Sequence, residues 1–189
     1  MPAKPKTLDV STIYQIKVTL KGIKPPIWRR IGVPGQITLF KLHVVLQVVM
    51  GWTNSHLHQF IVDKTYYGEP APEFDDMVNE KRVKLSQLAL REKSKFIYEY
   101  DFGDSWEHEL RIEKILQVSD VKKAPICLKG SRACPPEDIG GIWGYVYFLE
   151  VIQDPNHPEH EDMMEWVGDQ FDPEAFDVDE VNQLLKRFG

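Results

Sequence analysis

The chain has 189 residues, 42% of them apolar, with five Trp, seven Tyr and nine Phe, and a formal net charge of −6. That is enough apolar mass for one packed domain and excludes a disordered chain; two cysteines at this size exclude a disulfide framework. No apolar run reaches the roughly 18 residues of a membrane span, and the early lysines are followed by no secretory-type apolar segment, so the expected setting is cytoplasmic, with no membrane partner.

The expected organisation is a flexible N-terminus over 1–12 and a single domain over 13–189. Ile13 to Leu20 alternates, with Tyr14, Ile16, Val18 and Leu20 on one register, which predicts a half-buried strand. Pro25-Pro26 turns the chain, and Ile27 to Val33 returns as the second strand of a hairpin. Thr38 to Met50 reads as a helix with Thr38 as N-cap and Gly51 as stop. Its many valines give poor intrinsic helicity, so burial against a sheet must hold it. His56 to Val62 has period two and predicts a strand with His56 and His58 on one face. Tyr66 to Asn79 reads as an irregular link, and Lys84 to Leu90 as a short helix or turn.

A second hairpin follows in FIYEYDFGDSWEHELR, Phe96 to Arg111. Phe96, Tyr98, Tyr100 and Phe102 form one apolar row and Trp106, His108, Leu110 and Ile112 the other. Opposed residues share a face, so even numbers face even numbers. A three-residue loop, Gly103-Asp104-Ser105, sets Phe102 opposite Trp106 and Tyr100 opposite His108. Asp101 then meets Glu107 and Glu99 meets Glu109, an acidic ladder that needs a cation or basic neighbours such as Lys17, Arg29, Arg30 or Arg111. Pro125 to Gly141 reads as a loop holding Cys127 and Cys134, followed by helices from Ile142, from near Pro158 and from the Asp177 cap. The fold class expected is α+β: a β-grasp-like mixed sheet of two hairpins plus a strand, packed on a central helix, with C-terminal helices.

Three chemistries compete. His56, His58, Asp104 and His108 offer a mixed imidazole and carboxylate set for a divalent metal such as zinc, manganese or iron, which would suit a metal-dependent enzyme, with hydrolysis as one reaction class. The bland alternative makes the histidines core-edge residues bonded to tyrosines or carboxylates. Trp52 and Trp106 offer an aromatic cleft for a protein partner. Between Met1 and His58 stand eight Lys or Arg against one acid, and between Pro155 and Gly189 two basic against ten acidic residues. Lys21, Lys24, Arg29, Arg30 and Lys41 could therefore meet nucleic-acid phosphates, or simply face the acidic third of the same fold. Cys127 and Cys134 lack zinc-knuckle spacing. Gly140-Gly141 opens a helix, but the adjacent Glu137 and Asp138 repel phosphate.

IWRRI, LHVVLQVVMGW with SHLHQF, YDFGDSWEHEL and CLKGSRACPPEDIGGIWGY occur in this order. Together they resemble the plasmid pRiA4b open-reading-frame-three-like family, over roughly Ile13 to Phe188. The resemblance implies a compact α+β domain and an association with plasmids and mobile elements. It implies no activity and no catalytic set. The leading expectation is a protein-binding or accessory module, with the metal-dependent enzyme as its main competitor and nucleic-acid binding behind both.

Overall fold

Alternation builds the first strand: Tyr14, Ile16, Val18 and Leu20 are buried, while Gln15, Lys17 and Thr19 stay partly in water. This strand, β1 (Ser11–Leu20), pairs antiparallel with β2 (Trp28–Pro34). The structure is a computed structural model that describes residues 11–71, 76–118, 125–168 and 170–187. The flexible segment expected over 1–12 falls outside these residues except for Ser11 and Thr12, which belong to β1.

Helix α1 (Leu39–Met50) starts where the Thr38 side chain accepts the Lys41 N–H and stops at Gly51, whose φ of 98° is left-handed. Then come β3 (His58–Val62), β4 (Thr65–Gly68), β5 (Val78–Asn79), β6 (Lys95–Tyr100), β7 (Trp106–Val118) and β8 (Ile126–Ser131). Two 3-10 turns, Glu80–Arg82 and Leu85–Leu88, lie between β5 and β6. Helices α2 (Gly141–Gln153), α3 (His160–Val167) and α4 (Val178–Leu185) complete the chain. Among the described residues the strands form one eight-stranded sheet in the order β5-β4-β3-β6-β7-β1-β2-β8. All neighbours are antiparallel except β4 and β5. The α+β class holds, but the sheet has eight strands where five were expected. The supposed irregular link supplies β4 and β5, and the supposed loop supplies β8. Among the described residues no helix is long and apolar enough to cross a membrane.

The second hairpin keeps its parity but not its register. Tyr100 faces Trp106, Tyr98 faces His108 and Glu99 faces Glu107, two residues from the expected pairing. The loop is five residues, Asp101 to Ser105, because Asp101 leaves the strand at φ 58°. Its Oδ1 accepts the N–H of Gly103 at 2.9 Å and of Asp104 at 3.4 Å, and its carbonyl accepts the Ser105 N–H. An Asx turn has thus replaced the tighter loop. The acidic ladder loses Asp101 as a member; Glu107 and Glu109 are paired with lysines, and Glu99 is held by neutral hydrogen-bond donors. Lys21 pairs with Glu107, Lys95 bonds Glu109 at 2.8 Å, and Gln59 and Ser105 bond Glu99 at 2.7 and 2.9 Å.

One face of the sheet carries the core. Phe96, Tyr98, Tyr100, Trp106, His108, Leu110 and Ile112 are buried on it together with the even-numbered face of β1. Helix α1 packs there, and its Gln47 Nε2 donates to the Tyr98 hydroxyl at 2.8 Å. The opposite face holds the ladder and Glu113, the unpaired residue at a bulge between β1 and β7. Arg30 grips Glu113 through two hydrogen bonds, of 2.6 and 2.9 Å, and holds its carboxyl down to about 2.

Candidate metal centre

Three loops meet at the end of β6. The first leaves α1 and is pinned by Trp52, a buried residue whose ring lies 5.2 Å from Tyr100 and 5.7 Å from Trp106. Asn54 N–H donates to Gln47 Oε1 and Ser55 N–H to the Tyr100 hydroxyl, at 2.8 and 3.0 Å, so the chain reaches His56 in a fixed course. The second loop is the Asp101 turn. The third is the Pro135-Pro136-Glu137-Asp138 segment before α2. Glu137 Oε1 accepts the backbone N–H and the hydroxyl of Thr53 at 2.7 and 2.9 Å, tying this loop to the first.

At the junction His56 Nε2 is buried and makes no hydrogen bond. It lies 3.1 Å from Asp138 Oδ1, 3.6 Å from Glu137 Oε2 and 3.7 Å from Asp101 Oδ2. One donor atom each from His56, Asp101 and Asp138 falls within 4.8 Å of the others. Donors at about 2.1–2.4 Å from a shared ion can stand no more than about 4.2–4.8 Å apart, so this spacing admits a cation. The carboxylates are oriented from behind. Asp101 gives Oδ1 to its own turn and keeps Oδ2 for the junction. Glu137 gives Oε1 to Thr53. Tyr100, whose hydroxyl is pushed up to about 12 chiefly by burial, donates to the same carboxylate at 3.1 Å. Outer hydrogen bonds of this kind hold metal ligands in direction. Asp138 is largely exposed, so one side of the junction is open to water.

The four residues expected to share an ion do not converge. His56 stands in the loop before β3, not on its face. His58 opens β3, and its Nε2–H points to both oxygens of the buried Glu80, at 3.0 and 3.1 Å. Its ring stacks on His43 with centroids 3.4 Å apart. His108 is fully buried, and its Nε2 accepts the Trp52 indole N–H at 3.4 Å while Nδ1 faces the Tyr98 carbonyl at 3.2 Å. Both its nitrogens are spent, and burial lowers it to about 4. Asp104 Oδ2 accepts the Gly140 N–H at the start of α2. His58 and His108 thus follow the core-edge alternative. Sequence reasoning passed over Glu137 and Asp138 as ligands. Their signal was a Pro-Pro-Glu-Asp loop, which declares carboxylates but not what they face. A cavity of about 230 Å³ adjoins the junction, lined by His56, His58, Glu69, Glu80 and Phe102 among others.

The other expected sites are also redistributed. Trp52 and Trp106 are core residues and present no cleft to a partner. Arg29 is interior, Arg30 is paired with Glu113 and Lys21 with Glu107, which leaves Lys24 and Lys41 exposed and breaks up the basic surface. The cysteines are free thiols. Cys127 is held against α4, its backbone exchanging two hydrogen bonds of 2.8 Å with the Asn182 amide.

Three comparisons place the chain among known proteins. The family described as plasmid pRiA4b ORF-3-like protein matches residues 12–180. The uncharacterized protein y4hQ of Sinorhizobium fredii is 40% identical over 179 residues, 93% of this chain and 92% of that protein. The crystal structure of MM3350, a protein of unknown function from Methanosarcina mazei Go1, superposes with a TM-score of 0.83 at 44% identity, covering 90% of this chain and 97% of the other. The resemblance carried by the DFGDSWEHEL and ACPPEDIGG stretches is therefore real: this chain belongs to the plasmid pRiA4b ORF-3-like family.

Proposed function

We propose that this protein binds one divalent transition-metal ion through His56, Asp101, Glu137 and Asp138. The observation that carries the reading is the buried His56 Nε2, free of any hydrogen bond yet ringed by three carboxylate oxygens at 3.1–3.7 Å. One imidazole with carboxylates suits zinc, manganese or iron. The exposed Asp138 flank leaves the ion open to water, as catalytic metal sites do and structural ones do not. That favours a metal-activated water, and hydrolysis as the reaction class, with the adjoining cavity as space for substrate. Protein purified without affinity-tag metal should carry about one ion per chain by elemental analysis, and His56→Ala should carry none. An imidazolium paired with the same carboxylates is the rival arrangement. It predicts no ion in either protein, and that result, or equal metal in both, ends the reading.

A protein-binding role draws support from a different surface than Trp52 and Trp106. On α2, Trp143 is 85% exposed, and Val146 and Tyr147, three and four residues on, are also exposed. Trp143→Ser should leave thermal unfolding unchanged and weaken capture of a defined partner; capture that ignores the substitution removes this surface from consideration.

A further inference from the structure

A cleft of about 650 Å³ lies between the end of α1 and the C-terminal segment that carries α3 and α4. Its walls are largely apolar, from Val48, Val49, Phe171, Phe176, Val181 and Leu184. At its floor stands Arg29, 1% exposed. The guanidinium is held rigidly: Nε donates to the Val49 carbonyl at 2.7 Å, and Nη1 to the carbonyls of Trp28 and Ser131, both at 2.9 Å. The Phe176 ring covers it at 4.0 Å. Gly130 makes room for this stack, since a Cβ there would lie 2.5 Å from Phe176 and 2.8 Å from the Arg29 side chain. Among the described residues no carboxylate pairs with Arg29, and Nη2 makes no hydrogen bond. Burial pulls the guanidinium below its ordinary value.

A buried cation without a counter-charge is expensive, and the uncommitted Nη2 at the base of an apolar cleft can donate a charge-assisted hydrogen bond to one oxygen of an anion. We propose that this cleft binds a small carboxylate with an apolar tail, the carboxylate on Arg29 Nη2 and the tail along α1 and α4. Three acids also line the cleft. Glu137 is engaged with Thr53 and Tyr100, Asp177 caps α4, and Asp177 and Glu180 are exposed at the rim, where water screens them. Arg29 is not screened, so its charge dominates at the floor. The volume lies within the ordinary range for small-molecule sites.

Decanoate below its micelle concentration is the probe, titrated calorimetrically into the full chain with a chelator present, so that no metal–carboxylate contact contributes. It should bind once per chain, and decan-1-ol should bind at least about tenfold more weakly. Arg29→Met should cost decanoate at least about tenfold and leave decan-1-ol unchanged. Ala175→Phe, at an exposed lining position, should weaken both and decides the matter if Arg29→Met does not fold. No binding of decanoate, equal affinity for the acid and the alcohol, or decanoate binding indifferent to Ala175→Phe each overturns the proposal.

Discussion

Lowering the pH from about 6.5 to about 4 is expected to destabilise the metal-free protein with a slope approaching about 3 kcal/mol per pH unit. Two buried histidines cause this. His43 is pulled down to about 3, mainly by burial and further by the stacked His58. His108 is pulled down to about 4 by burial. Their hydrogen bonds agree with neutral rings. The Tyr98 hydroxyl accepts from Gln47 and so has its proton for His43 Nδ1, at 2.8 Å, which leaves His43 Nε2–H for Asn54 Oδ1. His108 Nε2 accepts from Trp52. In the unfolded chain an imidazole titrates near 6.5. Above that value both states are neutral, and stability does not depend on these groups. Below it the unfolded state takes up two protons that the folded state refuses, at about 1.4 kcal/mol per unit each, until the folded rings begin to titrate near 4 and 3. Glu113, held down to about 2 by Arg30, contributes stability above the ordinary carboxylate range and loses it only as pH falls from about 4.5 toward 2. The histidines therefore set the upper part of the acid limb. Since domains of this size hold about 5–15 kcal/mol in all, much of it should be gone by pH 4.5. Urea midpoints between pH 7.5 and 4.5 measure the slope. His108→Gln should roughly halve it whatever its absolute cost, and a flat profile down to pH 5 would contradict the burial of both rings.

The two hairpins, α1 with its Thr38 and Gly51 caps, and the Asp177 start of α4 are local features, written in side-chain period and cap chemistry, and the structure has them all. Strands β4, β5 and β8 were not legible. They are four, two and six residues long, run through Gly68 and Gly130, and gain their hydrogen bonds only from neighbours already in place. Residue parity on β6 and β7 was legible because one face must be buried. Register was not, because it depended on whether Asp101 would bond its own turn. The candidate centre failed for a related reason. Period two placed His56 and His58 on one face, but β3 begins only at His58, and Glu137 and Asp138 arrive from a loop some eighty residues later. Proximity of that kind is a product of topology and leaves no period in the chain.

Asp101 joins the turn to the proposed centre, and two substitutions should pull those roles apart. The residue is 7% exposed, sits at φ 58°, donates its N–H to the Leu57 carbonyl at 2.8 Å, and spends Oδ1 on the Gly103 and Asp104 N–H groups. Asp101→Ala removes the acceptor from two amides and places a Cβ-bearing residue, without a compensating side-chain bond, in the left-handed region. Together these should cost about 2–3 kcal/mol in chelator, read as a lower urea midpoint. Asp101→Asn keeps an amide oxygen for the turn and tolerates the same backbone, so it should stay within about 1 kcal/mol of the parent. The carboxylate Oδ2 that faces His56 at 3.7 Å becomes an amide in that variant, and the centre loses a negative charge. Zinc or manganese affinity should therefore fall at least about tenfold in Asp101→Asn while stability hardly moves. The discriminating pair of measurements is a urea melt in chelator and a metal titration on the same sample. Asp101→Asn with parental metal affinity would detach Asp101 from the centre, whereas Asp101→Ala with parental stability would mean that the five-residue loop does not depend on its Asx turn. If both roles hold, DFGDS is at once the hairpin's turn and one wall of the metal site, so the register of β6 against β7 sets where Oδ2 points.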